Sequence, residues 1–211
     1  MKVRFCLLLI LCVNLSIAQN KEVDSLYKVG YDKFKEGKYD DALIDLNKVI
    51  AIDSLNSDAY LYAGKCYVQK LNTLKSIEYL EKALKLDINK YYILPTLALQ
   101  YESISQIQKA IECHNKYIRK EPEFYGGYNN LSMIYYQQKN YFESNKYARE
   151  ARKRINTNNR VEYFITNYLI ALNCYYLNQK KESKKCFQDL LAKGYNIPRQ
   201  DILLELNLKN K

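Results

Sequence analysis

The sequence predicts an all-α protein, a solenoid of about five helical hairpins closed by a C-terminal capping helix. Three observations carry that expectation. A small residue opening an apolar stretch falls at Ala42, Ser76, Ala110 and Ser144, each 34 residues after the last, with a late fifth copy at Ser183. A period in this range marks stacked repeat proteins, whose units cannot bury their apolar faces alone. Ahead of these points the apolar residues run at i, i+3, i+4 and i+7, the stripe of one helix face. Tyr60, Ala63, Gly64 and Tyr67 form one such stripe, Leu94, Leu97, Ala98 and Tyr101 the next, and Tyr128, Leu131, Ser132 and Tyr135 another. A second stripe follows in each unit, as Ala42, Leu46, Val49 and Ile50 and then Ser76, Leu80, Ala83 and Leu84. Each unit therefore supplies two helices that face one another.

The elements follow in order. Lys2 and Arg4, the nine apolar residues Phe5 to Val13 and the small residues around Ser16-Ile17-Ala18 predict a secretory signal peptide over residues 1–18. Cleavage before Gln19 would export the chain to the periplasm or the extracellular space. A membrane span needs about 20 apolar residues, and Asn14 and Ser16 interrupt this one, so no transmembrane span is expected after cleavage. A lipid anchor on Cys12 would need a small residue just before it, and the bulky Leu11 argues against that alternative without closing it. A short linker, 19–22, leads to repeats at 23–56, 57–90, 91–124, 125–158 and 164–197. Asn156-Thr157-Asn158-Asn159 predicts a longer loop that absorbs the extra residues before the fifth. Phe164 to Leu177 is apolar nearly all round, a helix that needs cover on more than one side. Pro198 reopens a helix through about Leu208, whose Ile202, Leu203 and Leu206 suit a terminal cap within residues 198–211. Tyr60, Tyr67, Tyr101, Tyr128 and Tyr135 are read as core.

This arrangement resembles the tetratricopeptide repeat, with its aromatic-x2-Leu-Gly-x2-Tyr, Ala-x3-Phe and closing Pro pattern. The likeness covers Val23 to about Ile197. Its strongest piece is Gly37-Lys38-Tyr39-Asp40-Asp41-Ala42, which looks like the family's turn between helices, with Gly37 free to take positive φ. The closing proline is matched only by Pro122, while Ser54, Ile88 and Asn156 stand at the other junctions. The resemblance implies a right-handed superhelix whose first helices line a concave face. Projected onto this chain, it turns Tyr27, Tyr31, Phe34, Tyr92, Tyr136, Tyr168 and Tyr175 toward a peptide-binding groove. One subfamily grips a terminal carboxylate there with Lys, Asn and Arg. The matching places here hold Tyr27, Tyr31, Tyr62, Tyr92 and Thr96, so that clamp is not carried over.

The charge is uneven. Residues 19–90 carry 12 basic and 12 acidic side chains, and residues 91–211 carry 19 and 11. An exported basic half faces anionic lipid, acidic glycan or an acidic protein in preference to nucleic acid. Lys146, Arg149 and Lys153, with Lys181 and Lys185, form the candidate basic surface, the alternative being a solvated outer face. Cys66, Cys113, Cys174 and Cys186 have neither CxxC nor framework spacing and are expected as buried thiols. The single histidine, His114, occupies a core position. No nucleotide, metalloprotease or serine-elbow motif is present, so no catalytic residue, metal or cofactor is expected. Two binding classes stay open: a non-enzymatic scaffold for a protein or peptide partner in the cell envelope, and a glycan or anionic-surface binder using exposed tyrosines and the basic half. An enzyme is the third and weakest class.

Overall fold

The computed structural model describes residues 20–156 and 158–209, and the leader expected over residues 1–18 lies outside them. The described residues form α-helices and one 3-10 segment, with no strand among them. They fall into two compact units, one ending at Gln106 and the other beginning at Ile107.

In the first unit residues 20–35 are helical (α1), followed by α2 (Tyr39–Ile52), α3 (Ser57–Gln69), α4 (Thr73–Leu86), a 3-10 segment (Ile88–Ile93) and α5 (Leu94–Ser103). Helix α3 packs on both α2 and α4, and α4 packs on the 3-10 segment and α5. The core is built from Ala42, Leu46, Val49, Ala59, Ala63 and Cys66, all with no exposed surface. Close approach depends on small residues. A Cβ on Gly64 would lie 2.8 Å from Cγ of Leu80, and one on Gly30 3.0 Å from Cγ of Leu46. Helix α5 is short, with Pro95 in its first turn, where a missing N–H costs nothing.

The second unit runs through α6 (Ile107–Lys120), α7 (Tyr125–Gln137), α8 (Tyr141–Arg154), α9 (Arg160–Tyr176), α10 (Lys180–Ala192) and α11 (Gln200–Glu205). Each of α6 to α9 packs on the next, and α9 packs on α10. Phe187, Leu190, Ile197, Ile202 and Leu203 bring α10, α11 and the segment between them into one core.

Ala42, Ser76, Ala110, Ser144 and Ser183 are all fully buried. The serines among them are also satisfied. Ser183 Oγ donates to the Ala171 carbonyl at 2.9 Å, and Ser76 Oγ reaches Gln100 Oε1 at the same distance. His114 is buried without exposed surface.

Three local expectations are corrected. The extra residues before the fifth hairpin lengthen a helix more than a loop. Asn159 Oδ1 caps the Glu162 N–H at 3.3 Å, so α9 starts at Arg160, four residues before Phe164, and reaches 17 residues. Helix α11 stops at Glu205, short of Leu208, because Asn207 turns to φ 54°. Tyr60 and Tyr135 are half-buried where core was expected. Their rings rest on Tyr79 and Tyr147 at 5.7 and 5.5 Å, at the margin of the helix faces.

The turns inside the hairpins share one geometry. Gly37, Leu71, Ser105, Lys139 and Asn178 take φ of 76°, 56°, 60°, 58° and 60°. The next N–H in each bonds back to the helix just ended, as Lys38 to the Lys33 carbonyl at 3.0 Å and Asn72 to the Tyr67 carbonyl at 2.9 Å. That is the left-handed closure of a helix C-terminus. Asn72 and Asn140 then cap α4 and α8 with their side-chain oxygens.

Candidate partner-binding faces

In the first unit Tyr27 and Tyr31 lie one turn apart on α1, their rings stacked at 6.1 Å. Tyr62 of α3 meets them edge-on, 4.7 Å from Tyr31 and 5.3 Å from Phe34. All four rings are half-buried. Burial pushes the Tyr27 hydroxyl well above its ordinary range, and burial together with Tyr31 pushes that of Tyr62 up to about 12. Tyr92, 50% exposed, joins through Lys65, whose Nζ lies 4.9 Å from the Tyr62 centroid and 6.0 Å from that of Tyr92. Behind it the buried Lys90 pairs with Asp58 at 2.8 Å and Asp87 at 3.4 Å.

In the second unit Tyr136 of α7 meets Tyr141 at 5.7 Å and Tyr176 at 6.1 Å, while Tyr141 and Tyr176 stack at 4.5 Å. Arg199 Nη1 donates to the Tyr176 hydroxyl at 2.8 Å, and its Nη2 pairs with Asp201 at 2.5 Å. Tyr175 adjoins Tyr176 at 5.4 Å and donates its hydroxyl to Glu205. Tyr168 turns inward, edge-on to the fully buried Phe187 at 6.1 Å and stacked on Phe164 at 5.5 Å. Of the seven projected residues, the structure thus gathers Tyr27, Tyr31 and Phe34 in one panel with Tyr92 at its edge, gathers Tyr136 and Tyr175 in another, and seats Tyr168 against the core.

Sequence reasoning passed over Tyr39, Tyr141, Tyr176 and Arg199 as panel members, and named Tyr62 only at a clamp position of the groove. One signal was available. Phe34 packs on Tyr39 at 5.9 Å as Tyr136 packs on Tyr141, and the two pairs occupy the same repeat positions three units apart.

The basic stripe of α8 is largely neutralised. Lys146 pairs with Glu143 at 2.9 Å, Arg149 with Glu182 at 2.7 Å and Lys153 with Glu150 at 2.5 Å. Lys181 and Lys185 are exposed on α10. The four described cysteines are free thiols, with Cys186 half-buried and the others buried. Burial pushes Cys66 and Cys174 up to about 11, which removes thiolate character. No described helix is long and apolar enough to cross a membrane.

No protein-family model and no curated protein matches the sequence. Solved structures do. One of MamA shares 26% identity over 67% of this chain and 82% of that chain, with a TM-score of 0.61. A second MamA structure covers 90% of this chain and 98% of its own at 19% identity and a TM-score of 0.72. PilF of Pseudomonas aeruginosa covers 90% of this chain and 84% of its own at 17% identity and a TM-score of 0.64. These neighbours are tetratricopeptide-repeat proteins, and with consecutive helices paired inside each unit the chain has the fold of a tetratricopeptide-repeat helical solenoid.

Proposed function

We propose that the chain is an exported, non-enzymatic repeat scaffold that binds an internal peptide segment of a protein partner in the cell envelope. Its contact surface is the face of its first helices. The observation that carries this reading is the pair of tyrosine panels, half-buried Tyr27, Tyr31, Phe34 and Tyr62 in one unit and half-buried Tyr136 and Tyr141 with the exposed Tyr176 in the other. Leu99 in the first unit and Met133 in the second, each at the repeat position of Tyr31, are 56% and 46% exposed and add apolar surface within their own units. Tyrosine offers a large apolar face and a hydroxyl with little rotamer entropy to lose, which enriches it in binding surfaces. Export rests on the leader-like residues 1–18. The likeness to repeat proteins supports a protein partner in preference to a small substrate.

The alternative, a glycan or anionic-surface binder, draws on the exposed Lys181 and Lys185. Lys146, Arg149 and Lys153 support it less, since each already holds a carboxylate. The test is capture of a partner from the envelope fraction by the tagged mature protein, followed by titration with Tyr31→Ala. Affinity should fall by about 1–2 kcal/mol with helix content intact. Unchanged affinity with a lowered melting midpoint would sink the groove reading.

A further inference from the structure

Away from the tyrosine panels, the second unit carries a cleft of about 500 Å³ lined by Arg152, Arg160, Tyr163, Lys193 and Tyr195. Three of these five side chains are cationic; Lys193 pairs with Asp189, while the two guanidiniums are held differently from the paired Lys146, Arg149 and Lys153. The Arg152 guanidinium lies 4.5 Å from the Tyr163 centroid and Lys193 Nζ lies 5.2 Å from the same centroid. The Arg160 guanidinium lies 5.6 Å from the Tyr195 centroid. Arg152 Nε donates to a neutral amide, Asn167 Oδ1, at 3.2 Å. A ring face and an amide orient a guanidinium without cancelling its charge, whereas a carboxylate cancels it.

The rings are themselves fixed. Tyr163 is buried and donates its hydroxyl to Asp189 at 2.7 Å, and Tyr195 donates to the Arg160 carbonyl at 2.9 Å while stacking on Phe164 at 5.0 Å. With cations and Phe164 over them, these rings are not platforms for a sugar or a base. What the cleft offers is charge. Asp189 pairs with Lys193, so the charge the cleft adds beyond that pair comes from the guanidiniums of Arg152 and Arg160. A phosphate monoester carries about −1.5 to −2 and three acceptor oxygens.

We propose that this cleft binds a phosphomonoester dianion, gripped by the guanidinium forks of Arg152 and Arg160 with Lys193 as a point charge. Inorganic phosphate and glycerol 3-phosphate, titrated calorimetrically into the mature protein, are the probes. Saturable binding is expected, about tenfold weaker in Arg160→Gln and in Lys193→Gln and unchanged in Lys116→Gln, an exposed lysine of α6. Arg160 is exposed at the first residue of its helix, so its variant keeps the fold, and far-UV spectra verify this. Flotation with vesicles containing phosphatidic acid separates two sources of the same chemistry. Vesicle binding lost in Arg160→Gln assigns a lipid headgroup, and binding of the soluble ester alone assigns a free ligand. Absence of saturable binding, or equal affinity in wild type, Arg160→Gln and Lys193→Gln, would overturn the site.

Discussion

Ser132 and Ser144 exchange hydrogen bonds: each hydroxyl donates to the other's backbone carbonyl at 2.8 Å, and the two hydroxyl oxygens lie 3.2 Å apart. Asn173 Nδ2 adds a third contact, to Ser144 Oγ at 2.8 Å, so the smallest point of the α7–α8 contact is also a polar tie to α9. Ser144→Ala should cost about 1–2 kcal/mol by orphaning buried partners. Ser144→Leu should cost about 1–3 kcal/mol more through overpacking. Urea midpoints rank the two, and a midpoint for Ser144→Ala equal to wild type would contradict the tie.

Ala110 is fully buried and Gln108 exposed on the same helix. Ala110→Leu should therefore lower the denaturation midpoint, by about 1–3 kcal/mol, while Gln108→Leu stays within about 0.5 kcal/mol of wild type. Equal effects at both positions would place the close-contact register elsewhere.

Acid should weaken the fold through His114. Burial lowers its pKa from 6.5 to about 4, so the folded chain keeps the imidazole neutral where the unfolded chain takes up a proton. The contribution is full above pH 6.5, declines as pH falls toward about 4, and is flat below; it amounts to about 3 kcal/mol. Denaturation series across that window should show the decline in wild type and a smaller one in His114→Leu. Parallel curves for the two proteins would assign the acid sensitivity to other groups.

The interval of 34 is visible in the sequence because one residue per hairpin must be small where two helices touch. The turns between those helices are less visible. Gly37 and, more weakly, Asn178 announce a left-handed residue, while Leu71, Ser105 and Lys139 are driven there by packing against their own preference. Asn156 to Asn159 read as loop because all four are turn formers, yet Asn159 serves as a cap with Glu162 behind it, a pairing that four-residue composition hides. At the candidate faces, helical spacing marks which tyrosines leave the core but not which rings meet. The meeting of Tyr62 with Tyr31 is a tertiary fact. So is the gathering of Arg152, Arg160 and Lys193, which come from two helices and a helix end.

Removal of residues after Asn196 should uncover a dry surface. Ile197, Ile202, Leu203 and Leu206 are each at most 5% exposed and cover Phe187 and Leu190. Exposing these side chains forfeits about 1.5–3 kcal/mol for each one. Light scattering should show association of the shortened protein, and a monomer with the wild-type midpoint would deny the segment its capping role.

The four non-glycine turn residues bear on the order of events when the chain folds. A left-handed conformation costs an ordinary residue roughly 1–2 kcal/mol. Leu71, with φ 56° and 88% of its surface exposed, has no packing at its own side chain to offset that cost. A turn must close before the helix faces it joins can lock, so the strain is met on the way to the transition state and weighs on the folding rate. Leu71→Gly should accelerate refolding several-fold in stopped-flow experiments and leave the unfolding rate nearly unchanged. Gly37 already supplies the unstrained turn between α1 and α2, so Gly37→Leu should slow refolding where Leu71→Gly, in the three-residue link between α3 and α4, speeds it.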